Sequence, residues 1–297
     1  EFLVAHFVSP VLFTIFGTNV YSYGIMVAAA LGLAYLMFGN ELRRARIDLD
    51  ETTCFFVFLF GFAVGSKAHL ALSAVGAGEP LDWSAFDLRT GHSFIGSQVG
   101  AVFCMLVYIR RHSVGVLSFL DVLLPCCLLG HVIGKVGCFL SGDGCYGPPA
   151  DPHRVPWAMS FPNALVPTTE PVHPTPLYES ICSSCVVLAV RGLLPLPACG
   201  DDDSPIPSSG FPRTGRRTAL ALVLYGIERV LIEQFRRHPP IQFFSGLTEY
   251  QALALALFCV GALIEAWTRF QDGGGAAGAG AKAAGAQEPK AAAPRRK

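Results

Sequence analysis

Seven long apolar stretches divide the chain, and their lengths predict helices that cross a membrane. A spanning helix needs roughly 20 mostly apolar residues. The stretches that approach this length lie at about 19–39, 53–78, 93–110, 116–141, 175–196, 218–235 and 248–268. The apolar segment before them is short and is broken by Pro10 and Gly17, so we expect it to lie at the membrane interface. The predicted fold class is therefore all-α, a polytopic membrane bundle of about seven transmembrane helices.

Lysine and arginine mark the predicted cytoplasmic side of this bundle, since cytoplasmic loops carry an excess of both. They gather after the first, third and fifth stretches and in the C-terminal tail. The C-terminus is therefore predicted to be cytoplasmic and, with an odd number of spans, the N-terminus to lie outside. This gives an external interfacial segment at 1–18, a transmembrane domain at 19–271 and a cytoplasmic tail at 272–297. The tail is rich in Ala, Gly, Lys and Arg, a composition that predicts disorder.

The composition of the chain excludes several classes of protein. Of the 297 residues, 52% are hydrophobic and only 15% are charged, whereas a soluble domain usually carries about 25% charged residues. The 22 Lys and Arg residues are balanced by 22 Asp and Glu residues, so there is no basic field of the kind that binds nucleic acid. The ten cysteines lie mostly inside apolar runs, where cysteine behaves as a small hydrophobic residue. These features exclude a soluble enzyme and a nucleic-acid-binding protein.

Charged side chains inside the apolar stretches are the first candidates for function. A charge at the centre of a membrane helix costs about 2.5–3.5 kcal/mol on insertion scales, so it normally faces a polar cavity or a partner. Lys135 follows His131 by four residues, and Glu233 follows Arg229 by four, so each pair shares one face of a helix. Polar contacts between helices, or side chains that reach the headgroups, are the alternatives to a functional cavity.

Five short motifs follow one another along the predicted membrane domain. They are YSYGIM at 21–26, GHSFIGSQVG at 91–100, GKVGCFLSGDGCYG at 134–147, HPTPLYE at 173–179 and YGIERVLIE at 225–233. In this order they resemble the motifs of the bacterial prolipoprotein diacylglyceryl transferase family. The third motif, whose usual form is G-R-x-G-N-F-x-N-G-E-x-x-G, is the most specific, and the joint match of all five is far stronger than any one alone.

The resemblance implies a transferase of lipoprotein biosynthesis in the bacterial plasma (inner) membrane. Such an enzyme moves a diacylglyceryl group from phosphatidylglycerol to the lipobox cysteine thiol of a prolipoprotein, so these two substrates and membrane lipids are the expected partners. We expect no cofactor and no metal, because the sequence contains no nucleotide-binding loop and no metal-binding motif. The catalytic residues implied are Lys135, Arg229, His92, Glu233 and Asp143. The substrate-binding residues implied are Tyr23, Gly137, Cys138, Gly142, Gly147, His173 and Tyr178.

Positive side chains suit this chemistry. The lipid headgroup is anionic and the departing phosphate keeps its charge, so desolvated cations lower the barrier. Lys135 and Arg229 are the first candidates for this role. We expect Tyr23 and the backbone around Gly137 and Gly142 to form hydrogen bonds with the headgroup.

Three positions depart from the pattern of the family. Lys135 stands where the family has arginine, which keeps the charge but loses the planar fork that suits phosphate. Cys138 stands in place of an asparagine, and the histidine proposed as the family's base falls at Ile95. His92 and His131 are the candidates to replace that histidine.

These departures leave a second interpretation open. Asp143 matches the acidic residue of the third motif only if one extra residue is allowed before Gly147. The alternative to an active enzyme is therefore a non-catalytic or altered-substrate paralogue that binds lipid or lipoprotein. A small-solute transporter is a third interpretation, disfavoured because the sequence shows no repeated half with interrupted helices.

Overall fold

Helices dominate the fold. The computed structural model describes residues 3–4, 8–76, 78, 93–196, 214–236 and 247–285, and these ranges contain seven helices and five short strands. The helices are α1 (Ser22–Ala45), α2 (Glu51–Gly76), α3 (Phe94–Arg111), α4 (Val116–Ser141), α5 (Thr175–Leu193), α6 (Arg216–Glu233) and α7 (Glu249–Gly285). The strands are β1 (Leu3–Val4), β2 (Val11–Ile15), β3 (Thr18–Tyr21), β4 (Met159–Phe161) and β5 (Thr168–Val172).

Five of these helices are long and apolar enough to cross a membrane, namely α1, α2, α4, α5 and α7. Many of their large apolar side chains face outward, such as Phe60, Leu188 and Leu263, which are 64%, 70% and 70% exposed. Outward-facing apolar side chains are what a lipid-embedded helix requires. The chain is therefore a helical, multi-pass membrane protein. That α3 and α6 also span the membrane stays a prediction at this point.

The first helix begins later than the apolar pattern predicts. Residues 19–21 belong to β3, which pairs antiparallel with β2, and α1 starts only at Ser22. Phe16 and Gly17 connect the two strands with positive φ angles of 48° and 78°, as a tight hairpin turn requires. The sequence showed a break at Gly17, but not that the next four residues form a strand instead of the first turn of the helix.

The C-terminal helix is longer than predicted. Helix α7 runs to Gly285, into the segment 272–297 that the composition predicts to be disordered. Residues 286–297 lie outside the described part of the chain. The division into an interfacial segment, a membrane domain and a tail stays a prediction.

Helix α4 organises the bundle, because it packs against α1, α5 and α6. Helix α6 packs in turn against α5 and α7, while α2 pairs mainly with α3. Strands β1, β4 and β5 form a small sheet in the order β1-β4-β5. Phe161 of that sheet is fully buried and lies edge-on to Phe139 in the last turn region of α4, with ring centroids 5.8 Å apart. The sheet therefore covers the end of the bundle where α4 ends.

Glycines allow α2 and α3 to touch backbone to backbone. A Cβ atom placed on Gly65 would overlap the carbonyl oxygen of Gly96, and one on Gly100 would overlap the carbonyl oxygen of Gly61. Small residues at such crossings let membrane helices approach closely and gain van der Waals contact. The close contact therefore depends on the absence of side chains at these positions.

We expect Gly65→Ala to destabilise the protein by about 1–3 kcal/mol, because the added methyl group forces α2 and α3 apart. Gly32→Ala is the matched control, since Gly32 also lies inside a helix but a Cβ atom added there would meet open space. Alanine favours a helix over glycine, so the control should be neutral or slightly stabilising. Thermal unfolding in detergent measures both, and equal midpoints for the two variants would contradict the expectation.

A buried charge cluster lies at the end of the bundle where α4 begins. Glu41 and Arg217 are each 1% exposed, and an Arg217 Nη1 donates to Glu41 Oε2 at 2.7 Å. Asp121 of α4 accepts hydrogen bonds from the backbone N–H groups of Gly215 and Thr218 at 2.6 and 2.7 Å. A side chain of α4 therefore caps the N-terminus of α6. This fixes the position of α6 against α4 and so aligns the residues at their opposite ends.

Candidate active site

Four basic side chains converge on one buried carboxylate. Glu179 is 0% exposed, and its Oε2 lies 2.8 Å from both Lys135 Nζ and Arg229 Nη1. Its Oε1 lies 3.3 Å from Arg236 Nη1. The Nε2 atom of His131 is 3.8 Å from Oε2. We call these five residues the Glu179 cluster.

Three helices supply the Glu179 cluster. His131 and Lys135 lie one turn apart near the end of α4, Glu179 lies near the start of α5, and Arg229 lies near the end of α6. Arg236 lies in the turn that follows α6, and its backbone N–H donates a hydrogen bond to the Glu233 carbonyl oxygen at 3.1 Å. The cluster is thus built where α4 and α6 end and α5 begins, at the end of the bundle opposite to the Glu41–Arg217 pair.

Glu233 extends the cluster toward α7. Its Oε2 lies 3.6 Å from Arg229 Nη2, as the spacing of four residues predicts. Its Oε1 accepts a hydrogen bond from Thr248 Oγ1 at 2.9 Å, which ties the residues before α7 to the end of α6. Glu228, one position before Arg229, faces away and accepts a hydrogen bond from Ser183 of α5 at 2.6 Å.

Positive charge exceeds negative charge in this set of ion pairs. Among the described residues, three permanent cations, from Lys135, Arg229 and Arg236, surround the carboxylates of Glu179 and Glu233. Buried charges of one sign are costly unless a partner compensates them. The excess positive charge therefore favours an anionic ligand.

A cavity of about 420 Å³ opens beside the cluster. Its lining includes the cations of Lys135, Arg229 and Arg236 and the aliphatic side chains of Leu253 and Leu257 of α7. The remaining lining residues are Tyr23, His131, Gly134, Cys138, Tyr225, Tyr250 and Ala254. A cavity lined by both cations and aliphatic side chains is suited to an amphiphile with an anionic headgroup.

A second cluster borders this cavity at the end of α4. The Sγ atoms of Cys138 and Cys145 and a carboxylate oxygen of Asp143 all lie within 4.8 Å of one another. The backbone N–H of Cys145 donates to Asp143 Oδ1 at 3.1 Å. In the loop after α4, a hydrogen bond from the Cys138 thiol lowers the pKa of Cys145 below its usual value.

The structure brings several of the predicted site residues together. Lys135, Arg229 and Glu233 belong to one network of ion pairs. Tyr23 and Cys138 line the same cavity as Lys135 and Arg229. His131, the alternative to His92, also lines this cavity, whereas His92 lies outside the described residues.

The three glycines among the predicted site residues allow close packing or a turn of the backbone. A Cβ on Gly137 would lie 2.9 Å from Met26 Cβ, so Gly137 permits close packing of α4 on α1. Gly142 ends α4 with a φ of +63°. A Cβ on Gly147 would overlap the carbonyl oxygen of Phe235. The roles in substrate binding assigned to these three glycines stay predictions.

His173 and Tyr178 form a separate polar contact close to the cluster. The His173 Nδ1 atom lies 3.2 Å from the Tyr178 hydroxyl group, which also accepts a hydrogen bond from Trp157 Nε1 at 2.6 Å. Burial lowers the pKa of His173 below its usual value.

Asp143 lies apart from the other predicted catalytic residues. In the described part of the chain it forms no ion pair with Lys135 or Arg229, and it lies instead beside Cys138 and Cys145.

Sequence reasoning missed the central residue of the site. Glu179 is the last residue of the HPTPLYE motif, and the sequence leaves open whether it lies at the membrane interface or makes polar contacts inside the bundle. Nothing in the sequence indicates that it holds Lys135 and Arg229 together. Arg236 directly follows the predicted stretch 218–235, so the charge pattern places it outside the membrane. Tyr250, whose ring lies 5.8 Å from the Arg229 guanidinium carbon, had no signal in the sequence.

The fold and the site define a helical membrane protein that holds a buried cation cluster beside an amphipathic cavity. A model of the family described as prolipoprotein diacylglyceryl transferase matches residues 10–267. This match covers most of the chain, and the chain belongs to that family. The resemblance carried by the five motifs is thereby confirmed.

Relatives that this chain matches along nearly their whole length carry the name of the same enzyme. The phosphatidylglycerol–prolipoprotein diacylglyceryl transferase of Clostridium tetani is 27% identical over 266 residues, which cover 88% of this chain and 98% of the relative. The protein of that name from Bordetella avium is 28% identical over 268 residues, covering 86% and 92%. The one from Chlorobaculum tepidum is 26% identical over 283 residues, covering 88% and 90%.

Proposed function

We propose that this protein transfers a diacylglyceryl group from phosphatidylglycerol to the lipobox cysteine thiol of prolipoproteins. The observation that carries the proposal is the cavity beside the Glu179 cluster, whose lining offers cations to a phosphate and aliphatic side chains to acyl chains. Membership of the family and the names of its relatives support the same reaction. The alternative, a paralogue that binds lipid without chemistry, has no observation in its favour.

The cations of the site suit the charge that develops in this reaction. The acceptor sulfur forms a bond to the glyceryl carbon, while the bond from that carbon to the phosphate oxygen breaks. The electron pair leaves with the phosphate oxygen, and the thiol gives up its proton. Glycerol phosphate departs with an extra negative charge, and cations fixed in place beforehand stabilise that charge without reorganising.

Glu179 holds these cations in position for the reaction. A guanidinium group has five N–H donors and an ammonium group has three. Arg229 and Lys135 each use one close contact with Glu179 at 2.8 Å and also line the cavity. Arg229 also pairs with Glu233 through Nη2 at 3.6 Å, and the donors that remain on both side chains can bind a lipid phosphate. Glu179 is therefore a positioning residue, and Lys135 and Arg229 bind the substrate.

We further propose that all seven helices cross the bacterial plasma membrane, with the N-terminus outside and the C-terminus in the cytoplasm. Helix α6 carries five charged residues, but Arg217, Glu228, Arg229 and Glu233 are at most 8% exposed. Charges that face the interior of a bundle are compatible with a membrane span. Helix α3 carries no charged residue before Arg110 and Arg111 at its end, where basic residues are expected next to the cytoplasm.

Transfer in a defined bilayer tests the proposed function. We expect the purified protein in vesicles containing phosphatidylglycerol to add a diacylglyceryl group to a lipobox peptide, and not to a peptide whose cysteine is replaced by serine. Mass spectrometry measures the added mass and its attachment to sulfur. Vesicles containing only phosphatidylcholine or phosphatidylethanolamine are the lipid controls. Phosphatidylglycerol that binds but is never transferred would overturn the proposal and favour the non-catalytic alternative.

A further inference from the structure

We propose that Cys138, Asp143 and Cys145 bind a thiophilic divalent cation such as Zn²⁺, which takes the acceptor thiol as its fourth ligand. We call these three residues the Cys–Asp–Cys cluster. The cation site rests on the geometry of this chain, and its use in catalysis rests in addition on the proposed function. The sequence motifs predicted no metal, because the two cysteines become neighbours only through the turn that follows α4.

The three side chains already converge on one point. Their ligand atoms all lie within 4.8 Å of one another, whereas ligands of a tetrahedral zinc ion bound at about 2.3 Å lie roughly 3.8 Å apart. Small side-chain rotations close this difference. Thiolate and carboxylate groups are ligands that zinc accepts, and two sulfur atoms favour a soft cation over Mg²⁺ or Ca²⁺.

The backbone after α4 is shaped to bring the three residues together. Gly142 and Gly144 have φ angles of +63° and +86°, in the left-handed region that favours glycine. They reverse the chain so that Asp143 and Cys145 return to Cys138 at the end of the helix. The Cys145 N–H holds Asp143 Oδ1 at 3.1 Å, which orients the carboxylate and leaves its other oxygen for a cation.

Three protein ligands and one open position are the pattern of a catalytic zinc site. Cys138 lines the cavity that also contains Lys135 and Arg229. The fourth position of the proposed cation would lie on this side of Cys138, next to a group bound in the cavity. Two thiolates and a carboxylate would leave a divalent cation with an excess of one negative charge, or of two once the acceptor thiolate is bound, and Lys135 lies one helical turn before Cys138.

Such a cation would supply the acceptor thiolate. A thiol bound to zinc loses its proton outright, and here that proton passes to water. The bound sulfur then attacks the glyceryl carbon, the carbon–oxygen bond to the phosphate breaks, and its electron pair leaves with the phosphate oxygen. No group is oxidised or reduced. This gives a physical role to the replacement of the family's asparagine by Cys138, in a chain whose position for the family's histidine is Ile95.

Cobalt titration of the purified full chain tests the site directly. Kept reduced and free of other metals, the wild type should bind one Co²⁺ and show the sulfur-to-cobalt and d–d absorption bands of a tetrahedral thiolate site. Cys138→Ser and Cys145→Ser should each weaken Co²⁺ binding by about 10–100-fold or more. Asp143→Asn should weaken it as well. Cys127→Ser is the matched control, because Cys127 lies on the same helix with an exposed side chain, and it should bind Co²⁺ like the wild type.

The lipobox peptide then tests the use of the site. Addition of the peptide should shift the d–d bands, and the peptide with serine in place of cysteine should leave them unchanged. A wild type that shows no bands while both thiols are free would overturn the metal site, as would a disulfide between Cys138 and Cys145 in the purified protein. Full transfer by a protein stripped of metal would overturn the role of the cation while leaving the proposed function intact. Cobalt bands that respond to the peptide in a protein that transfers no lipid would support the site and contradict the proposed function.

Discussion

Arg229→Ala is expected to lower the rate of diacylglyceryl transfer by about 10²–10³-fold, the usual effect of removing one donor that stabilises charge in a transition state. Arg229 is 8% exposed, lines the cavity, and lies between the carboxylates of Glu179 and Glu233 at 2.8 and 3.6 Å. Without the guanidinium group, the phosphate loses its partner and meets carboxylates of its own sign. Single-turnover transfer to a lipobox peptide, at saturating phosphatidylglycerol, measures the effect.

Two further variants show that the charge and its geometry are responsible. Arg229→Lys keeps the positive charge but loses the planar fork, so its rate should fall between those of the wild type and Arg229→Ala. Arg154→Ala removes an arginine whose side chain is 89% exposed and should transfer at the wild-type rate. Folding of each variant is checked by circular dichroism. A folded Arg229→Ala variant with the wild-type rate would contradict the assignment of the phosphate site.

Glu179→Gln is expected to destabilise the protein by about 3–5 kcal/mol, because removal of one partner leaves buried charges uncompensated. The carboxylate has Lys135, Arg229 and Arg236 at 2.8, 2.8 and 3.3 Å. The amide of glutamine has no net charge, so these cations would repel one another. Thermal or denaturant unfolding in detergent measures the loss, and transfer should fall as well because the cations lose their fixed positions.

A second substitution separates repulsion from simple misfolding. Glu179→Gln combined with Lys135→Met removes one of the uncompensated cations, so this double variant should regain part of the stability but none of the activity. Glu170→Gln, at an exposed position of β5, is the control for the same chemical change and should match the wild type. If Glu179→Gln unfolds at the same midpoint as Glu170→Gln, the carboxylate does not hold the cluster together.

The helices followed closely from the pattern of apolar residues. The stretch predicted at 116–141 became α4 (Val116–Ser141), and that at 53–78 became α2 (Glu51–Gly76). The pairing of Arg229 with Glu233 also followed from their spacing, since residues four apart meet on a helix. The start of α1 did not follow, because the turn at Phe16 and Gly17 depends on backbone conformation and not on hydrophobicity.

The sequence by itself determined that this chain is a membrane bundle with costly charges inside it, and its ordered motifs identified the family. These features are local, because apolar length and helical spacing depend only on neighbours along the chain. The tertiary structure alone decided that Glu179 joins Lys135 and Arg229, and that Cys145 returns to Cys138. The carboxylate on α5 meets the cations on α4 and α6 only after three helices pack, since neither Lys135 nor Arg229 is close to Glu179 in the sequence.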